Sequence, residues 1–265
     1  MTQRGRARSN PLCAIVRLLL FLAVCFTFFG GFVIARLVCP HDAAGLEAMR
    51  ARFIHRWGKL GLRLWGIRIT IDGEPPAAGA LLAPNHSGYA DILAVAAATP
   101  CFFVTKPEVI GAPVAGTILR FFGIPAVRRS ISQEITGTAD RLVELFRLGQ
   151  SVCVFLEGTS TGGDRLLPFR PAMCQAAVDA RAPIQPVAMT WSSTNPGVDV
   201  GEDIAYWRDE HTMGPHIIRF LGLQGTRVHL RFGVPFTDYA DRKDAARRAR
   251  EAVLALLGRE EPLAP

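Results

Sequence analysis

The apolar residues of this chain fall into three successive patterns. From Leu18 to Ala35 they form a run without charge, broken only by Thr27 and two glycines. Eighteen helical residues rise about 27 Å, close to the hydrocarbon thickness of a bilayer. The run is long for a signal peptide and no small-x-small cleavage site follows it, so it predicts a retained membrane helix over 18–35. Leu46, Met49, Phe53, Trp57, Leu60 and Leu64 then recur at steps of three and four, which predicts an amphipathic helix over 46–64. Arg50, Arg52, Arg56, Lys59 and Arg63 lie mostly off that stripe. Two placements fit such a helix: on a membrane surface with its Trp and Phe among the headgroups, or against the protein's own core.

From Ile67 onward, short apolar runs alternate with helical stretches. The predicted strands are 68–71, 80–83, 101–104, 124–127, 152–155, 184–189 and 227–232. The predicted helices are 90–98, 112–121, 133–148, 173–180 and 243–257. Such alternation predicts an α/β architecture, a central mixed sheet flanked by helices. The implied division is a membrane-anchoring segment over 1–66 and a catalytic domain over 67–265.

Composition sharpens the picture. Of 265 residues, 49% are hydrophobic, and the mean hydropathy of +0.22 is high for a soluble enzyme, so part of the chain is meant for lipid. The net charge of +7 suits anionic lipid, phosphorylated substrates or nucleic acid. Nucleic acid ranks last, because no basic stripe with interleaved aromatics occurs after Ile67. Arginines on both sides of the apolar run (Arg4, Arg6, Arg8 and Arg17 before it, Arg36 after it) give no orientation by the positive-inside rule. The six cysteines form no Cys-x-x-Cys pair and have no neighbouring His at zinc spacing, which reads as reduced thiols and no metal site.

Four segments carry candidate chemistry. In Asn85-His86-Ser87-Gly88-Tyr89-Ala90-Asp91, a histidine follows a short strand and a carboxylate falls in the first turn of the next helix. At that spacing Asp91 can accept a hydrogen bond from the His86 imidazole, fixing its tautomer and leaving the other nitrogen free to take a proton, or it can merely cap the helix beside an unrelated histidine. No convincing Ser or Cys nucleophile stands nearby, so the proton donor is expected to be a substrate hydroxyl. The second segment, Val154 to Gly163, is a buried strand ending in Glu157 and then small residues, which either let a ligand approach the backbone or simply make a tight turn. The third, Gly123 to Arg129, places Arg128 and Arg129 after a strand, as a phosphate clamp or as a solvated loop. The fourth, 182–188, is a buried strand that by itself says nothing about chemistry.

Taken together, these segments resemble the lysophospholipid acyltransferase family, which includes the 1-acylglycerol-3-phosphate acyltransferases. The family's blocks run NHxSxxD, a strand ending in Arg, FPEGTRS and a Pro-Val strand, and they occur here in that order at 85–91, 123–129, 155–160 and 183–188. The resemblance covers about residues 60 to 235. It implies that His86 is the general base and Asp91 its orienting partner. It further implies that a lysolipid hydroxyl attacks the thioester of acyl-CoA or acyl carrier protein directly, with no acyl-enzyme, no cofactor and no metal. It assigns acceptor binding to Arg129, with Arg128 adjacent in register, and substrate binding to Glu157, Gly158 and Thr159. The implied partners are membrane lipids, the lysolipid acceptor and the acyl donor. The implied location is a bacterial inner membrane, with the catalytic domain facing the cytoplasm where the thioester resides.

Three positions depart from the family pattern. Gly88 stands for Ser, Leu156 for Pro, and Ser160 for the Arg of EGTRS. That Arg is tied to the phosphate monoester of lysophosphatidate, and losing such a charge-assisted contact costs roughly 1.5–3 kcal/mol. The stretch 157–170 looks more like a bacterial branch that includes lyso-ornithine-lipid acyltransferases, with Arg165 or Arg170 as a replacement charge. The leading expectation is acylation of lysophosphatidate or a related lysolipid; O-acylation of lyso-ornithine lipid is the same-chemistry alternative. A thioesterase, or a non-catalytic membrane-binding module, is the alternative of another class.

Overall fold

The computed structural model describes residues 9–39, 42–77, 79–105, 111, 116, 119–120, 122–125, 132–206 and 212–259, with backbone alone over 132–138. Its first helix, α1 (Pro11–Val38), is longer at both ends than the uncharged run. Asn10 caps it, its side chain accepting from the Cys13 N–H at 3.1 Å, and Pro11 supplies a preformed first turn. One face of α1 meets protein. Ala14 and Phe32 are buried, and Phe21 packs against Trp57 and Trp65 with ring centroids 5.7 and 5.3 Å away. The opposite face leaves Leu12, Leu19, Phe26 and Ile34 at least 60% exposed. An apolar face of that extent is stable in lipid rather than in water. One face of the helix is therefore committed to protein, and the apolar opposite face fits membrane association.

The amphipathic helix α2 (Ala43–Leu64) starts at Asp42, whose carboxylate accepts from the Gly45 N–H at 2.7 Å. Of its two sequence-compatible placements, the structure adopts the inner one. Ala51, Ile54, Gly58, Gly61 and Leu62 are buried, while Phe53 and Trp57 of the predicted stripe pack against α1. The stripe is real but marks a shoulder of the buried face, because the innermost contacts are made by small residues that carry little apolar weight. A Cβ on Gly58 would lie 2.6 Å from that of Ala96, and one on Gly61 would lie 2.9 Å from Leu93 Cδ2. Glycine is what allows α2 to approach α3 (Ala90–Ala98) this closely. Arg52, Arg56, Lys59 and Arg63 stay exposed.

The sheet has six strands among the described residues: β1 (Arg68–Asp72), β2 (Leu81–Pro84), β3 (Phe102–Phe103), β4 (Val152–Cys153), β5 (Ile184–Ser193) and β6 (Thr226–Phe232). Their order is β1-β6-β5-β2-β4-β3, parallel throughout except for the antiparallel β5–β6 pair. This is the expected mixed sheet. Helices α4 (Ser132–Arg147), α5 (Gln175–Ala180) and α7 (Arg242–Leu257) match predicted stretches, α5 being preceded by a 3₁₀ turn at Pro171–Cys174. Helix α6 (Met213–Leu221) was not anticipated. Of the strand expected at 124–127, Ile124 and Pro125 are irregular, Pro125 contributing only a carbonyl to the Thr105 N–H at 3.0 Å; 126–127 lie outside the described residues, as does most of the helix expected at 112–121.

Two features of this topology position the site. Strands β2 and β4 are parallel neighbours, so the segments leaving their C-terminal ends emerge side by side, where open α/β sheets bind ligands. Strand β5 is parallel to β2 but longer, with Pro84 opposite Val187, so Met189 and Trp191 run on beside the turn that follows β2. Helix α1 is tied to this body by Arg17, whose guanidinium donates to the carbonyls of Leu221 and Leu223 at 2.7 and 2.8 Å. These carbonyls lie at and just beyond the C-terminal end of α6, where a cation is favoured.

Candidate active site

The turn after β2 is held open by its own polar groups. Asn85 is buried, and its side-chain amide donates to the Met189 carbonyl at 3.0 Å and accepts from the Met189 N–H at 2.7 Å. The amide continues the ladder where the β2 backbone turns away. His86 follows, with its peptide N–H donating to Glu157 Oε1 at 2.7 Å and its carbonyl accepting from the Thr161 N–H at 2.9 Å. The imidazole stacks on Phe155, centroids 3.9 Å apart and planes 21° from parallel. The segment after β4 thus grips His86 through both its backbone and its ring.

Asp91 lies in the first turn of α3 and is completely buried. Its Oδ2 accepts from His86 Nδ1 at 2.9 Å and from the Ser87 and Gly88 N–H groups at 2.5 and 2.9 Å. Its Oδ1 accepts from the Trp191 indole N–H at 2.7 Å. Four donors and the helix N-terminus make a buried carboxylate tenable at this position. With Nδ1 donating to Asp91, the Nε2 of His86 is the basic nitrogen, and the side chain is 18% exposed.

Glu157, assigned to substrate binding by resemblance, is turned inward. It is 2% exposed, and its oxygens accept from the His86 and Leu167 N–H groups at 2.7 and 2.9 Å. Burial pushes its carboxyl up to about 7, against the opposing effect of those two amides. Gly158 adopts φ +78° with the Arg170 side chain lying where a Cβ would project, so no other residue fits there without displacing that arginine. Thr159 is exposed at the tip of the turn. Arg128 and Arg129 lie outside the described residues.

Two of the departures in sequence have a common structural cause. Tyr206, at the end of the segment that includes a π turn at Val200–Ile204, donates its N–H to the Ser87 carbonyl at 2.8 Å. Its own carbonyl accepts from Ser160 Oγ at 2.6 Å. A Cβ on Gly88 would lie 2.8 Å from the Tyr206 nitrogen. Gly88 and Ser160 are therefore small because Tyr206 docks on both. Of the replacement charges considered, Arg170 is packed on Gly158, and Arg165 is largely exposed beside Asp164.

A family model described as acyltransferase matches residues 67–190. A lyso-ornithine lipid O-acyltransferase of Brucella abortus is 32% identical over 240 residues, spanning 82% of this chain and 87% of that protein. The chain belongs to the lysophospholipid acyltransferase family. A second lyso-ornithine lipid O-acyltransferase, from Pseudomonas aeruginosa, is 28% identical over 83% of this chain and 84% of its own length. A 1-acyl-sn-glycerol-3-phosphate acyltransferase of Neisseria gonorrhoeae is 30% identical over 62% of this chain and 68% of its own. The crystal structure of the 1-acyl-sn-glycerophosphate acyltransferase of Thermotoga maritima shares the fold, with TM-score 0.61 and 17% identity over 93% of this chain and 100% of that one.

A member of this family is an O-acyltransferase, and its site must activate an alcohol. A half-buried imidazole backed by a carboxylate is suited to that task. Two of the residues that build the arrangement escaped the sequence reading. Trp191 lies three residues beyond the fourth block, and the strand that seemed chemically silent holds both Asn85 and Asp91. Tyr206 acts through its backbone, which no residue pattern reveals.

Proposed function

We propose that the chain transfers a fatty acyl group from the thioester of acyl-CoA or acyl carrier protein to the hydroxyl of a lysolipid, with His86 as general base and Asp91 orienting it. The observation that carries this reading is the His86–Asp91 contact at 2.9 Å, made to a carboxylate that three further N–H groups hold in place. Nε2 takes the proton of the acceptor hydroxyl as its oxygen adds to the thioester carbonyl. The tetrahedral intermediate then collapses, the C–S bond breaks, and the imidazolium returns the proton to the departing thiolate. Asp91 stabilises the transient imidazolium and keeps Nε2 unprotonated beforehand. A positioned base contributes about 10²–10⁴-fold.

An acceptor of the lyso-ornithine-lipid type suits the site better than lysophosphatidate. The serine that replaces the phosphate-linked arginine is committed to the Tyr206 carbonyl. Two relatives matching most of the chain also bear that activity in their names. Gly158 and Thr159 then shape the acceptor side, Glu157 braces the His86 backbone, and Arg128 and Arg129 are the candidates for an anionic group of the acceptor. Residues 1–66 serve as the anchor of a catalytic domain over 67–265. The exposed face of α1 enters a bacterial inner membrane from the cytoplasmic side, where acyl thioesters are made.

The test is purified protein in detergent, supplied with acyl-CoA or acyl carrier protein thioester and a panel of lysolipids. Thiol release that depends on lyso-ornithine lipid is expected. Release without any acceptor would identify a thioesterase, and release with lysophosphatidate alone would reverse the acceptor choice. His86→Ala is expected to lower kcat by at least 10²-fold with membrane association unchanged; wild-type turnover in that variant would remove the base assignment.

A further inference from the structure

We propose that Trp191 is a positioning residue for this reaction, its indole N–H holding one oxygen of Asp91 so that the other stays aimed at His86 and the basicity of the imidazole is set. The inference rests on the reading of His86 as the base. It starts from the uneven distribution of donors around Asp91. Oδ2 accepts from His86, Ser87 and Gly88, whereas the bond to Oδ1 comes from Trp191, 100 residues away in sequence. Asp91 has no exposed surface, so solvent does not reach Oδ1 to replace a lost donor. Two of the Oδ2 donors are backbone groups of the active turn and fix that oxygen alone. The orientation of the carboxylate about that anchored oxygen is left to the indole, which sits on a separately fixed strand.

That strand is anchored on both sides. Trp191 pairs with Val228 of β6 in the antiparallel ladder, and two residues earlier Met189 exchanges two hydrogen bonds with Asn85. The indole is 6% exposed and meets Phe220 edge-on, centroids 6.4 Å apart. Met189 and Trp191 project from the same face of β5. One strand therefore clamps the start of the active turn through Asn85 and its end through Asp91.

The direction of the effect follows from charge. A hydrogen bond from the indole stabilises the carboxylate and draws charge from it, which weakens its hold on an imidazolium. Removing the N–H concentrates charge on Asp91, so His86 keeps its proton to higher pH. Damage to the packing alone would act in the opposite direction, since an Asp91 turned away from His86 would let the imidazole lose its proton more readily. Among the described residues, the other titratable groups that act on the pair are Glu157, which accepts from the His86 peptide N–H, and Cys153, which is close enough to Asp91 to feel its charge. Because Glu157 titrates near neutrality, the imidazole is to be read directly rather than through the rate profile alone.

The experiment uses the full chain in detergent with Trp191→Phe, and with Trp191 replaced by 3-benzothienylalanine, which keeps the bicyclic shape and substitutes sulfur for the N–H. The titration of His86 is followed by NMR of the labelled imidazole, assigned with His86→Gln, alongside kcat and KM for donor and acceptor. The expected result in both variants is a His86 titration moved up by roughly half to one pH unit, a fall of about tenfold in kcat, and KM values within about twofold. A titration that stays put or moves down overturns the proposal, as does unfolding of both variants, which would assign Trp191 to the fold alone. If instead His86→Ala retains turnover, the base reading fails, an outcome distinct from failure of the Trp191 arm.

Discussion

Restoring a larger residue at position 88, where the family pattern has Ser, should harm this protein. In Gly88→Ala the new Cβ would lie 2.8 Å from the Tyr206 nitrogen and 3.1 Å from its Cβ. Backbone cannot yield as a flexible side chain can, so Tyr206 must move. It would take with it the bond from its N–H to the Ser87 carbonyl and the one it accepts from Ser160, at 2.8 and 2.6 Å. Two hydrogen bonds contribute about 1 kcal/mol each, and overpacking adds about 1–3 kcal/mol. Gly88 is not in the left-handed region, so alanine regains about 0.4–1 kcal/mol by restricting the unfolded chain. The net loss is about 2–4.6 kcal/mol, or roughly 4–18 °C in Tm. Thermal unfolding of the detergent-solubilised protein measures it. Ser160→Ala should share part of this loss, so the double variant should fall short of the sum by about 1 kcal/mol. A Gly88→Ala protein as stable as wild type, or strict additivity with Ser160→Ala, would refute the docking argument.

Two further outcomes are expected. The folded protein raises the Glu157 carboxyl from the usual 4.5 to about 7. The native state therefore binds more protons than the unfolded state between those values, and stability should decline as pH rises from about 4.5 through 7, by about 3 kcal/mol. Glu157→Gln should flatten this part of the Tm-against-pH curve; an unchanged slope would place the dependence elsewhere. Serine in place of Leu12, Leu19 and Phe26, all more than half exposed on α1, should weaken flotation with anionic lipid vesicles while leaving turnover in detergent within about twofold; equal loss of both would mean that this face stabilises the fold.

What could be read from the sequence is what depends on neighbours along the chain. The uncharged run and the short strands and helices are patterns of neighbours along the chain, and His86 and Asp91 stand only five residues apart. Such local patterns, with the order of the motifs, suffice to anticipate them. The register of α2 was not legible, because Ala51, Gly58 and Gly61 are inner residues by virtue of smallness. Their role exists only once α3 is laid across them. Strand order alone brings Met189 to Asn85 and Trp191 to Asp91, across separations of 104 and 100 residues. The same holds for Tyr206, whose backbone explains two substitutions that looked unrelated. The sequence by itself, through its ordered motifs, pointed to the imidazole and the carboxylate that meet; the structure showed that Nδ1 is the nitrogen they share. The tertiary structure decided how firmly they are held, because a buried charge depends on donors that must arrive from other strands and loops.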